Sequence, residues 1–245
     1  MPAALAAQRP MARSFNEQLA DRAASHAIDL LRFEAQARAQ ILGFLEQLKV
    51  EIEAKVRGFL RDGESAQAKR LRAESLLRQV EETIATAYGD AADAHEEVLT
   101  GLARVEGASA ASNFRSVAIA ADLDLNVLTA QQLRAIASDV LIENAPSRSW
   151  WAAQAGDTLE RFKQELREGL ALGETTDDIV RRIRGSATGR RNTYELNGKT
   201  YTYVEFRGGV LDTSTRHARA LVRTSVQAVA STARRSTFEE NQDVV

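Results

Sequence analysis

A chain of 245 residues with 44% hydrophobic and 27% charged residues can bury the core of one large or two modest domains, and it is too apolar to be disordered throughout. The absence of cysteine excludes disulfides, thiolate metal sites and a cysteine nucleophile, while three prolines and 6% aromatics favour long helices over an all-β domain. The net charge of −2 conceals a polarity: residues 180–245 carry 12 Lys/Arg against 6 Asp/Glu, whereas residues 1–179 carry 20 against 28, so the back of the chain suits a polyanion and the front repels one.

Residues 1–13 are rich in small side chains, lack the apolar core of a signal peptide and read as a disordered tail. No apolar run approaches the roughly 18 residues of a membrane span, which points to a cytoplasmic or particle-internal protein. Ser14 and Glu17 have capping-box spacing and open a helix. Within it Leu45, Leu48, Ile52, Val56 and Phe59 recur every three or four residues, preceded by Ile28 and Leu31, and Asp62-Gly63 ends it. A second helix is predicted from about Ser65 to Tyr88, carrying Leu71, Leu76, Leu77, Val80 and Ile84. Gly89-Asp90 ends that one, and a third runs to about Val105. Helices this long with so few aromatics must pack on each other or on another chain. Residues 14–106 therefore read as a long helical hairpin, with an oligomeric coiled coil as the alternative.

Gly107 to Ser112 is small and polar and marks a boundary, after which residues 107–245 form a compact helical domain. Thr129 and Gln132 make a capping box before a helix through Leu133, Ile136, Val140 and Leu141, and Pro146 breaks the chain. Trp150-Trp151 open the next helix, through Leu159, Phe162, Leu166 and Leu170. Adjacent tryptophans point about 100° apart, so one is expected buried and one partly exposed. Leu172-Gly173 ends this helix. Thr176 caps a short one over Asp177–Arg184, acids first and arginines last as the helix dipole favours. Gly185 to Asn192 reads as a basic flexible loop. Tyr194–Leu196 and Lys199–Tyr203 flank Asn197-Gly198, which predicts a β-hairpin near 193–206. Gly208-Gly209 closes it, and a last helix is expected from near Ser214 to Glu240. The fold class is mainly α: a long helical hairpin or coiled-coil region plus a compact helical domain with one β-hairpin.

His26, His95 and His217 have no metal-ligand spacing, and phosphate-binding glycine loops and the GxSxG nucleophile turn are missing, so no catalytic residue, metal or cofactor is assigned. An ADP-ribosyl-transfer reading of Thr213-Ser214-Thr215 fails because the one ExE, Glu51-Ile52-Glu53, precedes it. The last helix is more informative. Val222, Val226, Val229 and Ala233 share one side, with Ala218 and Leu221 flanking, while Arg216, Arg219, Arg223 and Arg234 gather on the other. Guanidinium groups in a row suit bidentate contacts to phosphate or carboxylate. With Arg181, Arg182, Arg184, Arg190 and Arg191 added to Arg216, Arg219 and Arg234, they form the candidate nucleic-acid or partner-binding set. The alternative use is ion pairing with the acidic front of the chain. Tyr194, Tyr201 and Tyr203 are the few aromatics nearby, so any DNA binding is expected to be backbone-directed and salt-sensitive.

Two segments resemble a known pattern. Leu170 to Ile183 carries a helix ending on a glycine–threonine turn and then a short helix with isoleucine repeats; Arg216 to Ser225, reading RHARALVRTS, resembles a second helical motif of the same family, continued over Ala230 to Phe238. Together, over roughly residues 150–245, they resemble the C-terminal domain of the phage head-morphogenesis, or Mu F-like, minor head proteins. The resemblance implies a minor structural protein of a tailed-phage head, present in multiple copies. It would meet the portal or major capsid protein and double-stranded DNA, and its location would be the virion, or the host cytoplasm during assembly. It implies structural roles for Gly173, Arg223 and Thr224, with Arg223 anchoring the last helix. Ser225 stands where the family usually has Glu. A general helical scaffold or chaperone-like protein-binding module is the alternative.

Overall fold

The computed structural model describes residues 15–117, 125–142, 144–196 and 199–242; the expected tail, the Ser14 cap and the Asn197-Gly198 turn lie outside them. The chain divides into two compact units, residues 1–36 and 37–245. In the first, residues 15–36 are helical, and Ile28 and Leu31 are 50% and 60% exposed, so neither extends the apolar stripe predicted from them. Everything below concerns the second unit.

Helix α1 (Phe15–Phe59) carries the predicted stripe: Ile41, Leu45, Leu48, Ile52 and Val56 are buried, Phe59 is half-buried, and Leu60 closes the row just beyond the helix. The turn at 60–65, with Gly63 at φ +82°, returns the chain into α2 (Ala66–Val117). The sequence marks a break at Gly89-Asp90 and a boundary at Gly107–Ser112; both stretches are helical within α2. Gly89 sits on an exposed flank where it costs only its intrinsic helix penalty, roughly 1 kcal/mol. On the other flank Tyr88, Ala91, Ala92, His95, Leu99, Leu102 and Ala103 are buried, and this packing outweighs the local signal. Leu71 is exposed, so it lies off the stripe assigned to it.

Thr129 caps α3 (Ala130–Asp139) with the predicted box: its hydroxyl accepts from the Gln132 amide, and its own amide donates to the Gln132 side chain at 2.8 Å. The helix stops at Asp139, short of the expected Leu141. Leu141–Ile142 (β1) instead pairs antiparallel with Ala145–Pro146 (β2) around Asn144, which takes φ +67°. This two-residue ladder is a strand signal too short to show as alternation in the sequence. Helix α4 (Ser147–Ala171) follows with Trp151 buried and Trp150 half-buried, edge to face at 5.5 Å, as the 100° argument requires.

Helix α4 ends in a glycine-based cap: Gly173 takes φ +71°, its amide donates to Leu170 O, and the Glu174 amide donates to Gly169 O at 2.9 Å. Thr175, one residue before the predicted cap, closes α5 (Thr176–Arg184) by accepting from the Asp178 amide. The Thr176 amide is taken by Asp62 from the α1–α2 turn. The expected basic loop 185–192 is strand from Ser186 onward. Strand β3 (Ser186–Leu196) pairs antiparallel with β4 (Lys199–Arg207) from Ser186–Arg207 to Leu196–Lys199, with a bulge between Ala187 and Arg191 where Gly189 takes φ +76°. The run Thr-Gly-Arg-Arg-Asn has no alternating pattern, so only pairing with β4 makes it a strand. Helix α6 (Val210–Glu239) begins four residues before the predicted Ser214, because Asp212 accepts the Gly208 amide and Val210 and Leu211 are buried.

The protein is therefore mainly α, with α2 as the central helix against which α4 and α6 pack and α3 lies alongside. All six positions assigned to the apolar face of α6, Ala218, Leu221, Val222, Val226, Val229 and Ala233, are buried. Among the described residues no helix is long and apolar enough to cross a membrane.

Candidate functional site

The buried side of α6 meets α2 and α4 through a polar relay. The Trp151 indole N–H donates to His95 Nδ1 at 3.1 Å, so that nitrogen carries no proton and the neutral ring is protonated at Nε2. Nε2 then donates to Ser225 Oγ at 2.8 Å, and the Ser225 hydroxyl donates onward to Leu221 O or Val222 O. Each of these polar atoms has a partner in a layer that is fully buried. Burial pushes the His95 ring down to about 4 from the usual 6.5. About two turns along α2 and α4, the Tyr88 hydroxyl, Thr158 and Ser214 form a second chain at 2.8 and 2.6 Å, and burial raises the Tyr88 phenol. A glutamate in place of Ser225 would put a carboxylate into this buried layer, which the serine hydroxyl fits.

The candidate arginines separate by environment. Arg182 is held by Glu174 through three contacts of 2.7–2.9 Å and by Glu165 at 3.1 Å, with Glu168 at 3.6 Å, and these carboxylates hold it more firmly protonated than usual. Arg184 pairs with Glu53 of α1 and lies 3.8 Å over the Phe206 ring. Arg234 reaches the buried carboxylate of Glu106 on α2 at 3.0 Å and the Ala230 carbonyl at 3.1 Å. These three are braces between elements, not an outward surface. Arg181 is exposed but bonded to Asp178 at 2.8 Å. The ion pairing with the acidic front of the chain thus accounts for part of the set.

What stays outward is smaller. Arg216, Arg219 and Arg223 stand in one exposed row on α6; Arg216 touches Asp212 at 3.5 Å, and neither Arg219 nor Arg223 has an acid partner among the described residues. Arg223 is therefore not the anchor of the last helix that the resemblance implies. Thr224, also exposed, lines a cleft of about 290 Å³ with Trp150, Gln154 and His217, whose Nδ1 lies 3.2 Å from the Gln154 side-chain oxygen. Arg190 and Arg191 are exposed on the bulged part of β3. No protein family matches the chain, and neither does any curated protein or solved structure. The function must be argued from these side chains.

The division is measurable. Arg234→Ala strips a guanidinium from the buried Glu106 carboxylate and should cost about 2 kcal/mol in urea unfolding. Arg219→Ala should stay within about 0.5 kcal/mol of wild type. Equal losses would mean that the two arginines are not different in kind. Sequence reasoning did not find His95 or Glu106, because their partners lie about 130 residues away in the chain and no local spacing announces them.

Proposed function

We propose that this chain is a minor structural protein of a tailed-phage head, associating with the portal and the capsid interior during assembly, and that the row Arg216, Arg219, Arg223 is its outward contact. The observation that carries this reading is the exposure of that row on a helix whose opposite side is buried to 3% or less from Ala218 to Ala233. A helix fixed this firmly presents guanidinium groups at a set spacing without further ordering cost, which favours a planar anionic partner. The resemblance of residues 170–183 and 216–225 to head-morphogenesis proteins supplies the particle and the portal. No catalytic step is part of the reading.

The test is capture of the portal protein encoded in the same phage genome by the full-length chain, since α2 covers the buried faces of α4 and α6 and a shorter fragment would expose them. Wild type should retain portal, and the triple variant Arg216→Glu/Arg219→Glu/Arg223→Glu should lose it while keeping its helical signal. No capture by wild type would move the assignment to a helical scaffold or chaperone-like module. The same row also fits duplex phosphates. Neutralising three of them would give a log–log salt slope near −3 in gel retardation, flattened by the triple variant to Ala. No retardation at low salt removes DNA and leaves the portal contact standing.

A further inference from the structure

The β3–β4 hairpin has no place in the packing just described. Among the described residues its two strands contact chiefly each other, and it joins the body at its base, where Gly185 meets Gly208 and Gly209 and Arg184 covers Phe206. A two-stranded ladder alone in water is marginally stable, and both its edges are open to pairing. Its composition is that of a contact surface. Arg190 and Arg191 sit exposed at the bulge and Lys199 is exposed toward the tip. The register sets Tyr194 opposite Tyr201 and Asn192 opposite Tyr203.

A matching acidic surface lies elsewhere on the same unit. Helices α1 and α2 flank a groove of about 470 Å³ whose wall carries Glu51, Glu82 and Asp90, all exposed, with Lys55, Thr83 and Thr86 between them. Along α1 the groove runs from Phe44 to Lys55, about 17 Å at the helical rise. The part of β3 beyond the bulge, Arg191 to Leu196, also spans about 17 Å at the strand rise. The groove and the hairpin base lie on opposite flanks of α1. Glu51 lines the groove, whereas Glu53, about 200° round the helix, takes Arg184 at the hairpin base.

We propose that the hairpin of one copy docks in the α1–α2 groove of a second copy, Arg190 and Arg191 at the bulge meeting Glu51, Glu82 and Asp90. Because plug and socket are different surfaces on opposite flanks, the association is head to tail. It propagates from copy to copy and ends only by closing a ring or running out of copies. Arginine forks pair bidentately with carboxylates, so the chemistry of each surface fits the other. The contact does not rest on the head reading or on the α6 arginine row.

The test uses nucleic-acid-free full-length protein at about 100 μM in analytical ultracentrifugation. Wild type should show a mass that rises with concentration in low salt and falls to the monomer near 0.5 M salt, since exposed charge pairs are screened. Arg190→Glu/Arg191→Glu and Glu51→Lys/Glu82→Lys should each self-associate at least about a hundredfold more weakly. An equimolar mixture of the two should associate again, because each then offers the charge the other lacks. Glu82→Lys/Asp90→Lys is the substitute if the first groove variant loses its helical signal. A wild type that stays monomeric in low salt, variants that associate as well as wild type, or a mixture that stays monomeric would each overturn the proposal.

Discussion

Between pH 6.5 and pH 4 the protein should lose about 3 kcal/mol of stability through His95 alone. The folded ring titrates at about 4 and the unfolded one at the usual 6.5, a difference of about 2.5 pH units at 1.36 kcal/mol each. The sign follows from proton counting. Below 6.5 the unfolded chain takes up a proton that the folded chain refuses, so the stabilisation is complete above pH 6.5. It drains away as the pH falls to 4, and then stops changing. The geometry explains the refusal: a proton on Nδ1 would point at the Trp151 N–H, 3.1 Å away, inside a fully buried layer. Carboxylates titrate in the same range, so the comparison is with His95→Gln, whose amide can accept from Trp151 and donate to Ser225 without titrating. The stability gap between wild type and His95→Gln, from urea unfolding at pH 7, 5.5 and 4, should shift by about 3 kcal/mol in favour of the glutamine as the pH falls. A gap that stays constant would mean that His95 is hydrated or already charged.

His95 also marks the limit of what the sequence discloses. Read along the chain it is one of three scattered histidines, and their spacing leads only to the statement that they form no metal motif. Its role depends on Trp151 and Ser225, 56 and 130 residues away, brought to it by the packing of α4 and α6 on α2. Where the determinant is periodic and local, the residues declare themselves. The α6 face, the α1 stripe from Leu45 to Val56, the Thr129–Gln132 box and the Trp150–Trp151 division all follow from helix geometry and short-range hydrogen bonds. Where the determinant is a distant partner, local rules mislead or stay undecided: Gly89-Asp90 looks like a helix end, residues 186–192 look like a loop, and Arg182, Arg184 and Arg234 read equally as a binding set or as ion-pair partners of the acidic front. The arginine row was legible as a charge pattern. Which arginines face outward was not, because Glu53 and Glu106 lie about 130 residues upstream of Arg184 and Arg234 and no local spacing announces the pairing.

Replacing Gly185 by alanine should unfold the hairpin junction, at a cost of at least about 3 kcal/mol and with loss of soluble protein at 37 °C. Gly185 takes φ +86° and ψ −168°, a region that only glycine occupies readily, and a Cβ there would lie 1.8 Å from Gly208 O and 2.4 Å from Arg207 O. Both are backbone atoms and cannot swing aside. Gly209 faces it at φ +87°, where a Cβ would come within 2.5 Å of the Gly185 nitrogen and 2.8 Å of the Arg182 and Ile183 carbonyls. The two glycines thus let α5 hand the chain to β3 at the spot where β4 hands it to α6, with two backbones in direct contact. The sequence reads Gly208-Gly209 as a simple stop and gives Gly185 no special place, since neither residue has a side chain to advertise the crossing. Gly89→Ala is the matched control. A Cβ at Gly89 meets nothing within 4 Å, so alanine should raise stability by roughly 0.5–1 kcal/mol if α2 is continuous there, and lower it if the helix breaks. Opposite signs at the two positions, measured as unfolding midpoints in the same denaturant, are expected from a chain in which Gly89 is incidental to the fold and Gly185 is required by it.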